Sequence, residues 1–130
     1  MDQASFAADV AVHPDTIDFA SDLIVDHDDA NAELDAVVRD YGIGYVPSTA
    51  ADALAAESAA GVGLLRGTPP ADVDFKFVEL QVINHAEARV VLDELAVQVG
   101  DGEMGDFIAN TRDMVDEHLD RAEAMLETYY

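Results

Sequence analysis

Three histidines, His27, His85 and His118, are the side chains with the clearest capacity for chemistry in this sequence. Each occurs on the apolar face of a predicted long helix, near the helix midpoint. A midpoint keeps its height in a bundle whichever way its helix runs, since the rise is about 1.5 Å per residue. The sequence therefore predicts three imidazoles in one layer. The three helices are predicted over residues 14–41, 71–99 and 103–129.

Such a layer has two interpretations. His27, His85 and His118 could bind one transition metal ion, because imidazole is a ligand for zinc, copper, iron and nickel. Alternatively, the histidines form a buried polar layer that fixes the helix register by hydrogen bonds to each other, to Asn31 or to water. A polar layer needs no metal to be satisfied, which favours this second interpretation. Both remain open from the sequence.

A carboxylate-bridged di-iron centre is not supported by the sequence. That site requires a Glu-x-x-His pair on each of two helices and a further Glu on each of the other two. The residues three positions before the histidines are Ile24, Val82 and Val115. A glycine-rich phosphate loop and a nucleophile-elbow serine are also missing. No catalytic or cofactor-binding residue is assigned, and we expect a protein without enzymatic activity.

The helices themselves are predicted from apolar residues spaced three and four apart. A short first helix falls within residues 2–12, and Pro14 opens the second, whose apolar face begins at Ile17 and Ala20. Residues 42–70 form a long connection with a short Ala-rich helix over 49–60, after which three glycines follow. The faces of the last two helices begin at Phe75 and Ile108. We find no convincing strand in the sequence.

The helices predicted over residues 14–41 and 71–99 repeat each other at an offset of 58 residues. At this offset Phe19 aligns with Phe77 and His27 with His85. Each helix therefore belongs to one of two related halves. The connection between the halves is long enough to run the length of a bundle, which is typical of a crossover topology.

Three helical segments carry a resemblance to a known family: Phe19–His27 with Ala30, Asn31 and Leu34; Asp74–His85; and Phe107–Thr111 with His118, Leu119 and Ala122. Together they resemble a family of exported, ferritin-like bacterial proteins known mainly as a domain of unknown function. The second segment has Asn84 where the family has Asp, and the first helix is shorter than in the family. The resemblance implies an all-α, ferritin-like four-helix bundle with a shortened first helix, in one domain over residues 1–130. It implies no settled activity.

The charge is strongly acidic, with 28 Asp and Glu against 6 Lys and Arg and a net charge of −22. Nucleic acid is therefore excluded as a partner, because phosphate binding needs a basic patch. The acids are spread along the whole chain, which favours adaptation to high salt over one cation- or partner-binding face. No apolar run reaches the roughly 18 residues of a membrane-spanning helix. Cysteine is absent, which excludes disulfides and thiolate sites.

These features predict a non-catalytic binding or stress-related module adapted to high salt. The alternative is a metal-binding protein or oxidase with a central three-histidine site. We also expect a homo-oligomer, or else the connection over residues 42–70 lying across the gap, because the first helix covers less than half of the apolar face left to it. The expected location is periplasmic or extracellular if a leader was removed, and otherwise cytoplasmic.

Overall fold

Five α-helices make up the described part of this computed structural model, which covers residues 2–40 and 59–129. No strand occurs in these two ranges, so the predicted all-α class is confirmed there. None of their helices has an apolar stretch of the length needed to cross a bilayer. The elements are α1 (Gln3–Val10), α2 (Pro14–Asp40), α3 (residues 59–66), a 3-10 turn (Pro70–Asp72), α4 (Val73–Val99) and α5 (Glu103–Tyr129).

Local signals set the ends of these helices. The Asp2 carboxylate caps α1 by accepting a hydrogen bond from the Ser5 backbone N–H at 2.7 Å. Pro14 starts α2, as predicted, since proline lacks the N–H that a first helical turn cannot use. Gly100 ends α4 with φ +65°, a conformation that glycine adopts without steric cost. α4 begins two residues later than predicted because the chain first makes the 3-10 turn.

The helices form two hairpins, α1–α2 and α4–α5, in which α5 packs against both α2 and α4 while α1 packs between α2 and α4. Two side-chain pairs join α5 to α2, Arg121 to Asp22 and His118 to Asp26. The residue numbers rise on α2 as they fall on α5, so these two helices are antiparallel. Since α4 and α5 are joined by a short turn, α2 and α4 run parallel.

Two apolar clusters fill the bundle, one on each side of the histidine layer. The first, or upper, cluster contains Phe19, Leu23 and Phe77, all nearly inaccessible to solvent, and includes residues of α1, α3 and α5. The second, or lower, cluster is built from residues of α2, α4 and α5 within the described ranges. At 8 residues α1 is about 12 Å long, against about 40 Å for the 27-residue α2, so α1 lines only the upper half.

The predicted apolar face of α5 is confirmed, whereas that of α2 is displaced by about one residue. α5 buries Ile108, Val115 and Met125 as expected. α2 buries Thr16 and Phe19, whereas Ile17 is only half-buried. One residue corresponds to about 100° of rotation on a helix, so side chains expected at the centre of the face lie at its edge. This displacement decides the position of His27.

α3 lies where the sequence analysis expected only a glycine-containing connection. The predicted helix over residues 49–60 falls almost wholly outside the described residues, and the helix that is described continues through Gly61 to residue 66. Val62 and Leu65 are buried and hold α3 against the upper cluster. A side chain at position 61 would come within 2.1 Å of the Gln3 amide nitrogen, so glycine permits this close approach of α3 to α1.

Asp74, buried at the start of α4, ties the α1–α2 turn to the rest of the bundle. Its carboxylate accepts hydrogen bonds from the backbone N–H of Val12 at 3.1 Å and of His13 at 2.7 Å. We expect Asp74→Ala to lower the free energy of unfolding in urea by about 2–3 kcal/mol, because two backbone donors lose a charged acceptor.

Asp72→Ala is the matched control for this substitution. Asp72 is exposed, lies two residues earlier and makes no side-chain capping bond, so its replacement removes the same charge without breaking a contact. We expect a change within about 0.5 kcal/mol. Equal effects of the two substitutions would show that Asp74 does not hold the turn.

Candidate metal centre

His27, His85 and His118 meet at the middle of the bundle. One ring nitrogen from each lies within 4.8 Å of the others, and the ring centroids are 5.3 Å apart for His85 and His118 and 6.2 Å for the two pairs that include His27. Nitrogens bound to one tetrahedral zinc ion are about 3.3 Å apart. Rotations about the side-chain bonds that bring the nitrogens about 1–1.5 Å closer would therefore suffice for shared coordination.

His118, on α5, is buried and held by a carboxylate from α2. Its Nε2–H donates to Asp26 Oδ2 at 2.8 Å. Its Nδ1 atom is buried and has no hydrogen-bond partner among the described residues. When the proton of a neutral imidazole resides on Nε2, Nδ1 carries a free lone pair. A carboxylate–histidine pair of this kind orients the imidazole and raises its basicity toward a metal ion.

His85, on α4, is also buried and is fixed by its own helix. Its Nδ1–H donates to the Gln81 carbonyl oxygen one turn earlier, at 2.8 Å, which leaves Nε2 as the free nitrogen. Desolvation lowers the pKa of His85 to about 4, with smaller contributions in the same direction from His118 and His27, and the hydrogen bond to Gln81 opposes them. The imidazole is therefore neutral at pH 7, the form that binds metal ions.

His27, on α2, faces the other two imidazoles, but the expectation that it is buried is wrong. It is solvent-exposed because it lies at the edge of the buried face of α2. Desolvation by the atoms around its ring, and then His118, lower its pKa, while Asp2, Asp26 and Asp28 raise it. Because His27 is exposed, solvent screens the electrostatic effects of these neighbours on its imidazole more than it screens those on the buried His85.

Two hollows meet at His27. The first is a cavity of about 240 Å³ beside the start of α1, with several amide side chains in a wall that also contains Leu23 and Val115. In its wall the Gln3 side-chain oxygen accepts hydrogen bonds from the amides of Gln81 and Asn84, both at 3.1 Å. Asn84 was noted in the sequence for its place before His85, whereas Gln3 and Gln81 were missed, since nothing in their spacing indicates a contact between residues 78 positions apart.

The second hollow, which we call the apolar groove, has a volume of about 560 Å³ and lies between α2, α4 and α5 in the lower half of the bundle. Its described wall includes Val91, Leu92, Phe107 and Met114, with His27 at one end. The groove occupies the level that α1 is too short to reach. The histidine cluster therefore adjoins both hollows, and His27 lies in the wall of each.

The fold and this cluster define the class of the protein: an all-helical bundle with three imidazoles from three helices at its middle. Residues 1–125 match the family model described as Domain of unknown function (DUF4142), and the chain belongs to that family. The resemblance to a domain of unknown function is thereby confirmed. No curated protein and no solved structure matches the chain.

Proposed function

We propose that this protein binds one divalent transition metal ion through His27, His85 and His118. The observation that carries the proposal is the buried Nδ1 of His118, which has no partner among the described residues and belongs to a ring already fixed by Asp26. A buried polar atom without a partner destabilises the fold by about 1–3 kcal/mol. A metal ion bound to this nitrogen would remove that cost.

The states of the other two histidines support the same proposal. His85 is neutral at pH 7 and keeps a free nitrogen, because its other nitrogen donates to the Gln81 carbonyl. No hydrogen bond joins two of the three imidazoles in the part of the chain that the structure describes. This supports a metal site over a layer in which the histidines hydrogen-bond to one another.

The ligand set points to a mononuclear site with an open position. Three imidazoles leave at least one coordination position of zinc, copper or cobalt to solvent or to a further ligand, and exposure of His27 to both hollows places that position within reach of solutes. The group contains no carboxylate among the described residues, in contrast to a di-iron centre. We assign no reaction to the site.

We further propose a ferritin-like topology, in which a crossover connection joins two antiparallel hairpins; the parallel course of α2 and α4 supports it. The expected homo-oligomer stays a prediction. So does coverage of the gap by residues 42–70, because α3 packs on the upper cluster and residues 41–58 lie outside the described ranges.

Metal titration of untagged, metal-free protein tests the metal site. We expect Co²⁺ to bind in a 1:1 ratio with visible absorption bands of nitrogen coordination, in the presence of excess Mg²⁺ to occupy surface carboxylates. His27→Ala and His85→Ala should each weaken binding more than about 100-fold, and Asp26→Asn about 10–100-fold. His27 is exposed, so its replacement tests the ligand without opening a core cavity.

His13→Ala is the matched control, since the fourth histidine lies in the α1–α2 turn and packs on Tyr129 at the end of the bundle. It should leave Co²⁺ affinity unchanged. Binding that is equally insensitive to His27, His85 and His118 substitutions would assign the metal to the acidic surface and contradict the proposal.

A further inference from the structure

We infer that the apolar groove binds a small, uncharged molecule whose body is apolar and whose single neutral donor atom coordinates the metal at the open position. This inference rests on the proposed metal site and adds the chemical class of its ligand. It follows from the volume of the groove, the character of its wall and its position beside His27.

The volume and wall of the groove suit a small organic molecule. At about 560 Å³ it falls within the roughly 300–1,000 Å³ of ligand pockets in proteins. Apolar side chains line it from three helices, among them Ala30 of α2, Val91 of α4, and Phe107 and Met114 of α5. A planar or branched hydrocarbon body would bury its surface against all three helices.

The polar groups of the groove are few and lie where they would orient such a body. His27 stands at one end, and Asn31 follows one helical turn later on the same wall. Thr111 faces them from α5, with its hydroxyl donating to the Phe107 carbonyl oxygen at 2.8 Å, so its oxygen still has acceptor capacity. A ligand donor atom at the His27 end would point toward the metal.

The charges of the groove disfavour an anionic group on the ligand body, away from the metal ion. Glu87 is the only charged residue in the wall as far as the structure describes it, and the chain as a whole has a net charge of −22. A carboxylate or phosphate on the ligand body would be repelled by both. A cationic body would lose its hydration against apolar walls and would be repelled by the metal ion. An uncharged ligand with one nitrogen or oxygen donor avoids both costs.

The test compares imidazole, 4-phenylimidazole and 4-(imidazol-4-yl)benzoate on the Co²⁺-loaded protein by visible absorption. Imidazole supplies the donor alone, 4-phenylimidazole adds a neutral apolar body, and 4-(imidazol-4-yl)benzoate carries the same donor and body with a charge on the body. We expect 4-phenylimidazole to bind at least about tenfold more tightly than imidazole, since burial of a phenyl group favours it, and 4-(imidazol-4-yl)benzoate to bind more weakly than 4-phenylimidazole.

Two variants test whether the tighter binding of 4-phenylimidazole depends on the groove. Ala30→Phe would fill the groove from α2 and should abolish the advantage of 4-phenylimidazole over imidazole. Ala32→Phe places the same side chain at an exposed position of α2 outside the groove and should preserve both the advantage and the affinity for imidazole. Equal affinities of the unsubstituted protein for imidazole and 4-phenylimidazole, or a preference for 4-(imidazol-4-yl)benzoate, would overturn the inference and leave the metal site intact.

NMR of the metal-free protein separates failure of the groove from failure of the metal site. With ¹³C-labelled methionine methyl groups, millimolar 4-phenylimidazole should shift the resonance of Met114, which lines the groove. Met125, which lies in the upper cluster, should not respond. If Co²⁺ does not bind at all, the proposed function fails and metal coordination of the ligand fails with it. An unresponsive Met114 overturns the groove itself.

Discussion

At pH 7.5, raising sodium chloride from about 0.05 M to about 2 M should raise the melting temperature by more than about 10 °C. The Debye length falls from about 14 Å to about 2 Å over this range, so repulsion among surface carboxylates shrinks to contact distance. Folding concentrates a net charge of −22 into one small bundle, and the native state therefore gains more than the extended chain. A gain of several kcal/mol corresponds to such a shift for a domain of this size.

The ion pairs of the bundle do not remove this repulsion. Interhelical pairs join Arg89 to Asp116 at 3.1 Å and Arg112 to Asp93 at 2.7 Å, and all four side chains are a third or more exposed. Exposed pairs contribute at most about 1 kcal/mol each. Salt weakens this stabilisation, whereas it also weakens the repulsion between carboxylates. The 28 acidic residues far outnumber the 6 basic ones. The screening of repulsion between carboxylates should therefore outweigh the weakening of the ion pairs.

A charge-reduced variant is the control for the salt effect. Replacing Asp29, Glu33 and Asp35, all exposed on α2, with the corresponding amides should raise the melting temperature at low salt and reduce its dependence on chloride. Differential scanning calorimetry measures both quantities. A melting temperature that does not change with chloride would mean that the acids serve a cation or a basic partner and not adaptation to salt.

Acidification of the metal-free protein from pH 7 to pH 4 should lower its free energy of unfolding by about 3 kcal/mol through His85 alone. The pKa of His85 is about 4 in the folded protein against an ordinary value of 6.5. Between these values the unfolded chain takes up a proton that the folded protein does not. The stabilisation is thus complete above pH 6.5 and is lost as the pH falls toward 4. The lowered pKa of His27 acts in the same direction.

Carboxylate protonation relieves charge repulsion over the same range, so the measurement needs a reference that titrates identically except at position 85. His85→Asn supplies one, because its amide can still donate to the Gln81 carbonyl oxygen. Urea denaturation in about 2 M chloride reduces the remaining contribution of surface-charge repulsion to the unfolding free energy. The difference in unfolding free energy between the two proteins should change by about 3 kcal/mol from pH 7 to 4. A constant difference would show that His85 titrates normally in the folded state.

The sequence predicted the long helices and the meeting of their histidines because both depend on local periodicity. His85 and His118 fall on faces where apolar residues recur every three to four positions, and the structure buries both. The buried face of α2 was harder to predict, since Ile17 and Phe19 each begin a plausible apolar face and no local signal distinguishes the two. Burial of Phe19 against Phe77 selects the second, and this long-range contact places His27 at an edge.

The contacts that sequence analysis missed join residues far apart along the chain. Asp74 accepts from a turn 61 and 62 residues earlier, and Gln3 accepts from Gln81 across a separation of 78. No sequence motif around Asp74 or Gln3 indicates the residues with which their side chains form hydrogen bonds. The 3-10 turn and the position of α3 likewise follow from packing on α1 and α4 and not from a local pattern.

The imidazole layer also divides the bundle into two parts that we expect to differ in cooperativity. Above it, α1 and α3 complete the walls of the upper cluster; below it, the described residues that enclose the lower cluster come from α2, α4 and α5. Fluctuations that separate the lower ends of these helices would open the ligand sphere while the upper part stays folded. Exchange of a bound ion could then proceed by partial unfolding from one end, at a rate set by the weaker half of the molecule and independent of its global stability.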